Sequence, residues 1–421
     1  MCLEDMGHVV AGQSVFFTDH QQFVDVRVSE SLVNLAIGYV RETRLLTEQA
    51  RPPDPLRESP HCRWCSHVSI CLPDEVSGRL PARSIAVADP EGEVLHLTTP
   101  GSRASLKQGR VIVQRREERL GSLPVDRVVG LVIHGNADVS SALLRELWCR
   151  GAAVVWCSFQ GRVVAWSESV NAPNGRARIR QNAQSEVGRL DVAREFVSAK
   201  IANQATQLRR NASVPVFETV AHLRSIQRMA HAATSNPQLL GIEGRAAQVY
   251  FSAFPLMLKG EASWLTAEWP GRQGRNATDP LNALLNYAYG LLLADVIRAV
   301  AACGLDPVAG FLHSSSRNKP ALALDLMEEF RAPLADSVIL GALNNGEVRP
   351  TDLTPVLGVA RLRDSGRKAV IAAYERRLDQ RITHPTFGYR VSWRRVIEVQ
   401  ARLLLATLEG TRDLYVGIRT R

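Results

Sequence analysis

Asn171-Ala-Pro-Asn-Gly175 divides this chain into two regimes, and the division decides its fold class. Upstream the pattern is one of short strands: Val94–Thr98, Arg110–Gln114, Val128–His134, Ala153–Cys157 and Arg162–Trp166. Turn signals separate them, among them Gln108-Gly109, Gly135-Asn136 and Gln160-Gly161. A single helix, Ser140–Cys149, interrupts the series and stops before Gly151. Downstream the apolar spacing is helical, at about 180–210, 213–236, 238–258, 277–304, 320–331, 335–345, 366–380 and 391–409, with no strand-length alternation. The most apolar stretch, Leu284–Leu305, is interrupted by Asn286, Asp295 and Arg298 and reads as a buried helix rather than a membrane span. The class is therefore α+β: a β-rich domain over 84–170, then a large all-α domain over 171–421.

Further from the divide, residues 1–75 form a small separate piece. Val15–Val28 reads as two short strands around Asp19-His20, and Ser29–Gln49 as a helix with Leu32, Leu35, Ala36, Tyr39 and Val40 on its apolar side. Arg51-Pro52-Pro53-Asp54-Pro55 stops that helix. Residues 76–83, within a stretch rich in turn formers, read as the linker to the β-rich domain.

Hydrophobic residues make up 45% of the 421 positions and charged residues 22%, a balance that excludes a disordered chain. The net charge is +9, and only five of the 51 basic residues are lysines. Arginine forks match phosphate oxygens, so this charge fits a nucleic-acid partner as well as it fits codon bias. Seven cysteines, odd in number and unevenly spaced, exclude a secreted disulfide scaffold, and no apolar leader follows the first residues. The expectation is a cytoplasmic protein without membrane contact. A phosphate-cradling glycine loop with lysine, Gly-x-Ser-x-Gly and His-Glu-x-x-His are all missing from the sequence, so ATPase, serine-hydrolase and zinc-protease readings fall away.

Two clusters carry chemistry. Cys62, Cys65 and Cys71 have the C-x2-C spacing that lets thiolates share one metal, with His61, His67 or Cys2 as candidate fourth ligands for zinc. Three buried free cysteines are the alternative. In the α domain, Glu243 lies between Gly241 and Gly244 at a helix start. Far downstream, His313 ends an apolar run before a helix bearing Asp325 and Glu328. Those two carboxylates are three apart and share a face, so they need a cation or protons, while Glu329 is turned away. One imidazole with carboxylates suits Mn2+ or Mg2+; a satisfied core histidine beside surface carboxylates remains open. Ser314–Ser316, Arg317 and Lys319 suit phosphate oxygens, with a solvated loop as the plain alternative. Tyr250/Phe251 and Trp264/Trp269 are aromatic pairs with basic neighbours that could stack bases, the first pair more naturally core. Asn282, Asn286 and Tyr289 share a helical face, and Arg394/Arg395 read as solvated charge.

Three segments together, LLGIEGRAAQVYF (239–251), DPLNALLNYAYGLL (279–292) and GFLHSSSRNKPALALDLMEEFR (310–331), resemble the CRISPR-associated integrase that inserts new spacers during adaptation. The resemblance runs from about Ser84 to the end. It implies Glu243, His313 and Glu328 as ligands of Mn2+ or Mg2+, Asp325 as an acidic residue of the same catalytic site, and Arg245, Arg317, Lys319, Asn282 and Tyr287 as candidate DNA contacts. It further implies a homodimer that works with a small CRISPR adaptation partner protein on double-stranded DNA, a 3′-hydroxyl attacking a phosphodiester of the repeat. Residues 1–75 resemble the C-terminal end of the CRISPR-associated RecB-like exonuclease, with Cys62, Cys65 and Cys71 matching three ligands of its 4Fe-4S cluster. The first cysteine and the nuclease carboxylates of that family are expected upstream of this chain, so a fusion with a truncated exonuclease part is the expectation. The competing function is a non-catalytic basic DNA-binding scaffold with a structural zinc knuckle.

Overall fold

The computed structural model describes residues 6–10, 12–17, 20–49, 53–56, 59, 61, 65, 71, 92–170, 174–265, 269–274, 277–315 and 319–420. The chain forms two compact units, Met1–Asp54 and Pro55–Arg421. The expected linker 76–83 and Cys62 lie outside the described residues; Cys65 and Cys71 are exposed.

In the smaller unit β1 (Ser14–Phe17) and β2 (Gln22–Asp25) pair antiparallel, placing the Phe16 and Phe23 rings 4.7 Å apart. Helix α1 (Glu30–Thr47) starts at Ser29, whose hydroxyl accepts from the Leu32 N–H.

The larger unit opens with β3 (Glu93–Leu97), β4 (Arg103–Lys107), β5 (Arg110–Arg115), β6 (Glu118–Pro124), β7 (Val128–His134), β8 (Asp138–Val139), α2 (Ser141–Cys149), β9 (Ala153–Cys157) and β10 (Val163–Ser167). They make two four-stranded sheets, ordered β10-β9-β7-β3 and β6-β5-β4-β8. β3, β7 and β9 run parallel, with Val94 opposite Gly130 and Gly130 opposite Ala153. Alternation along β7 serves two cores. Leu131 and Ile133 join Leu97, Val111 and Leu143 on one side, whereas Val132 joins Val155 and the helical core on the other. Burial on both faces explains why β7 and β9 read as continuous apolar runs. Strands β4 and β6 escaped the sequence reading because each has few buried side chains.

The helices are α3 (Gly175–Val187), α4 (Leu190–Asn211), α5 (Phe217–Ala232), α6 (Asn236–Ala253), α7 (Pro280–Ala302), α8 (Ala321–Met327), α9 (Ser337–Asn344), α10 (Asp364–Asp379) and α11 (Trp393–Leu408). The expected single helix over 180–210 is two, broken at Gly188 with φ +91. The expectation of no strands beyond residue 175 is also corrected. Leu353–Val356 pairs with Val359–Leu362, and Arg381–Thr383 with Arg390–Ser392, in ribbons too short to leave a period-two signal. Helix α7 is long and apolar enough to cross a bilayer, yet it is mostly enclosed by the core.

Arg394 and Arg395 are not solvated. Arg395 is buried, its Nη1 2.9 Å from Glu398, and Arg402 meets the same carboxylate. Arg394 donates to Glu375 at 2.6 Å, and Glu375 also meets His96 of β3 at 3.2 Å. This chain of charges ties the sheet to the helical layer. Desolvation keeps it marginal unless every partner is present.

Glycines let α7 approach the strand region closely. A Cβ on Gly290 of α7 would collide with the Gly161 carbonyl in the β9–β10 turn, where Gly161 itself holds φ +78. Gly290→Ala is therefore expected to destabilise the chain by about 1–3 kcal/mol through overpacking, read as a lowered Tm; an unchanged Tm would mean the turn yields freely.

Candidate metal centre

Each candidate side chain is placed by a different local device. Ser235 caps α6 by accepting from the Gln238 N–H, with Pro237 in the first turn. Glu243 consequently stands well inside the helix rather than at its start. Helix α8 carries Asp325, and Glu328 follows in the 3-10 turn Glu328–Phe330, which passes into a wide turn over Arg331–Asp336. His313 sits on the loop that precedes α8.

Asp325 holds that loop. Its Oδ2 accepts from the Phe311 and Leu312 N–H groups at 2.6 and 2.9 Å, and its Oδ1 from the His313 N–H at 2.9 Å. The same Oδ1 accepts from His313 Nδ1 at 2.7 Å. In the neutral ring the proton therefore stays on Nδ1, and the Nε2 lone pair is left toward Glu328, 3.9 Å from its Oε1. Gly310 makes this possible, since a Cβ there would lie 2.8 Å from Asp325 Oδ2. Asp325 is buried behind the loop, so it positions the imidazole rather than facing the opening.

The two glutamates meet over one cation. Lys200, buried on α4, places its ammonium against Glu243 Oε1 and 2.7 Å from Glu328 Oε2. Arg331 lies 3.0 Å from Glu328 Oε1. Among the described residues, Glu328 Oε2 is buried with no aligned hydrogen bond despite its ionic neighbour. Burial works against the Glu328 charge, but the nearby charges of Arg331, Lys200 and His313 prevail and hold it down at about 2. Burial likewise opposes the charged form of His313, and the Asp325 hydrogen bond with the Glu328 and Asp325 charges overcomes it, raising the ring above 6.5. Glu329 points the other way: burial pushes it up to about 8 although Tyr415, Ile418 N–H and Gln400 all donate to it.

Glu243, His313 and Glu328 thus converge from three parts of the chain. No three His, Cys, Asp or Glu side chains among the described residues close a metal shell as they stand; the Lys200 ammonium stands between the carboxylates. Of the expected DNA contacts, Arg245 is exposed on α6 beside His222, and Lys319 is half-buried at the loop end. Arg317 lies outside the described residues. Asn282 and Tyr287 are corrected, because both are fully enclosed and cannot meet DNA. Asn282 binds the Asp279 carboxylate and the Gly271 carbonyl, and Tyr287 packs under Gly161. Tyr250 and Phe251 are core, while Trp269 is half-buried with its ring 6.4 Å from Phe254.

Lys200 and Arg331 went unread in the sequence. Their one signal is compositional: lysine is scarce here, and Lys200 falls among the apolar residues Val197, Ala199 and Ile201.

A family model described as CRISPR associated protein Cas1 matches residues 95–376. Across its full length the chain is 36% identical to a CRISPR-associated exonuclease Cas4/endonuclease Cas1 fusion of Geobacter sulfurreducens, covering 78% of that protein. A fusion of the same description from Rhodospirillum rubrum is 38% identical over 99% of the chain and 73% of its own length. A CRISPR-associated endonuclease Cas1 of Thermus thermophilus is 38% identical over 75% of this chain and 94% of its own. Among solved structures, a casposase bound to integration product covers 77% of this chain and 92% of its own, with a TM-score of 0.66 and 22% identity. A Cas1 protein from Thermotoga maritima shares the fold equally, with a TM-score of 0.66 and 22% identity over 77% of this chain and 98% of its own.

The Asp325 geometry makes two connected predictions. Asp325→Asn removes a charged acceptor from three amides and is expected to cost about 2 kcal/mol, with faster hydrogen exchange at residues 311–313. In the metal-free chain the His313 ring is expected to titrate above 6.5 when followed by NMR, so its contribution to stability is full below 6.5 and is lost as pH rises through the raised folded value. Asp325→Asn lowers that midpoint; an unmoved midpoint contradicts the assignment.

Proposed function

We propose that this chain, which belongs to the Cas1 family of CRISPR-associated proteins and is akin to Cas4/Cas1 fusions over its whole length, is a divalent-metal-dependent DNA endonuclease and integrase of CRISPR adaptation. The observation that carries this reading is the meeting of Glu243 and Glu328 over a single cation with the His313 imidazole beside them. The donor set fits a hard divalent ion. Two carboxylates and one oriented imidazole are oxygen and nitrogen donors, and a buried carboxylate oxygen there lacks an aligned hydrogen bond.

Glu243, His313 and Glu328 would hold Mn2+ or Mg2+, which supplies Lewis-acid polarisation of a phosphodiester and stabilises charge on the attacking and leaving oxygens. The chain's own groups prepare the place. Asp325 fixes the imidazole with Nε2 forward, Arg331 keeps Glu328 ionised, and Lys200 adds positive charge where phosphate oxygens arrive. Lys319 and Arg245 extend that charge outward for the DNA backbone.

The reaction is a transesterification: a DNA 3′-hydroxyl forms a new phosphodiester as the repeat's P–O3′ bond breaks, and the released 3′-oxygen takes up a proton. One phosphodiester forms for each one broken, so no nucleotide is consumed. The acting form is a homodimer with a small CRISPR adaptation partner on double-stranded DNA; a Cas6-RT-Cas1–Cas2 complex is among the solved structures of this fold. Residues 1–75 are read as a Cas4-like exonuclease end, with Cys62, Cys65 and Cys71 as partial ligands of an iron–sulfur cluster.

Branched DNA with Mn2+ tests the site. Glu243→Gln and His313→Ala are each expected to abolish cutting and joining, a loss of at least about a hundredfold for removal of metal-centred charge stabilisation, while circular dichroism and Tm report a folded chain. Activity retained by both variants would sink the assignment.

A further inference from the structure

Glu328 offers two oxygens, and each already faces a cation. Oε1 lies 3.0 Å from Arg331 and 3.9 Å from His313 Nε2, while Oε2 lies 2.7 Å from the Lys200 ammonium. The same ammonium meets Oε1 of Glu243. Lys200 therefore stands against one oxygen from each glutamate, in the gap that a divalent ion shared by those carboxylates would fill. Carboxylate oxygens close to about 2 Å on an ion such as Mg2+, so the ammonium and the ion exclude each other from that gap.

A new cation enters only if one of the resident ones moves. Arg331 is the firmer of the two, because its guanidinium also stacks on Tyr289, 4.7 Å from the ring centre. Lys200 carries a point charge on a flexible stem. Among the described residues, Glu328 Oε2 beside it is buried without an aligned hydrogen bond, so no directed bond is lost when the ammonium leaves. Lys200 and Glu328 are enclosed, whereas Glu243 keeps part of its side chain open to solvent, which makes the Glu243 side the way in. We propose that Lys200 is the exchange cation of this site: its ammonium holds Glu243 and Glu328 together, yields its place to the entering divalent ion, and so sets how tightly that ion is held. The inference rests on the metal-centre reading and adds a control on its occupancy.

Mn2+ binding to the full chain, followed by electron paramagnetic resonance, tests this together with Tm in EDTA. Lys200→Gln is expected to bind Mn2+ about 10- to 100-fold more tightly, the range over which groups behind a metal's ligands move its affinity. In EDTA the same variant melts below the wild type, since two carboxylates lose their shared cation. Mn2+ then raises its Tm by more than it raises that of the wild type. Lys200→Arg keeps the charge and gives no tightening. A second test needs no folded variant. The chain has only five lysines, Lys107, Lys200, Lys259, Lys319 and Lys368, so 13C-lysine labelling resolves the Lys200 side chain by NMR. Its signal is the one missing from Lys200→Arg. Titration with Mg2+ is expected to shift that signal and to leave those of Lys107, Lys259 and Lys368 in place. A Lys200 signal unmoved at saturating Mg2+ overturns the inference, as does Mn2+ binding by Lys200→Gln no tighter than the wild type's. A wild-type chain that binds no divalent ion overturns the inference together with the metal reading. Nitrogen-coupled Mn2+ in the wild type, with an unmoved Lys200 signal in Mg2+, overturns the inference alone.

Discussion

A buried carboxylate must be neutralised, and in this molecule that requirement organises everything around Glu328. Its side chain is almost wholly enclosed, yet Arg331, Lys200 and the His313 ring keep it ionised at about 2. Each of those partners is delivered by a different element: the turn that ends α8, helix α4 and the loop before α8. Glu243 joins through Lys200 from α6. The helical packing therefore has an electrostatic centre as well as an apolar core, and displacing any one element leaves charge uncompensated. Its stabilising contribution is present above the ordinary carboxylate range and is lost as pH falls through about 2.

Behind this centre lies a set of buried groups that fix position. Asp325 ties the backbone of Phe311–His313 to α8, and Gly310 leaves room for it. Glu329, one residue beyond Glu328, faces the C-terminal segment, where the Tyr415 hydroxyl and the Ile418 N–H close on it; Asn203 of α4 joins the same segment through the Ile418 carbonyl. One face of the short turn after α8 thus serves the centre while the other anchors the end of the chain. This is the arrangement expected of a site whose geometry must be held by rigid neighbours.

The sequence revealed the two-regime layout because turn signals and helical spacing are local. It singled out Glu243, His313 and Glu328, which the fold gathers beside Lys200, because three motifs read together are far more specific than any one of them. Asp325 and Glu328 sharing a face, and Glu329 turned from it, followed from helical geometry alone. The rest needed tertiary structure. Lys200 enters the centre across a helix–helix contact, which no spacing encodes. Asn282 and Tyr287 carry polar atoms whose partners, the Gly271 carbonyl and Asp279 for one and the sheet for the other, come from packing, so they resembled binding residues while serving the interior. Arg395 misled for the same reason: Glu398, which it shares with Arg402, makes burial tolerable. The two short ribbons after α9 were invisible because three or four residues cannot display a period.

The central claim is that Glu243, His313 and Glu328 hold one divalent ion. Electron paramagnetic resonance of the full chain titrated with Mn2+ addresses it most directly, since an imidazole ligand couples its nitrogen to the bound ion. The account predicts one tightly bound Mn2+ with that nitrogen coupling, the coupling lost in His313→Ala and binding weakened in Glu328→Gln. Mn2+ bound without nitrogen coupling, or bound equally well by both variants, would contradict it.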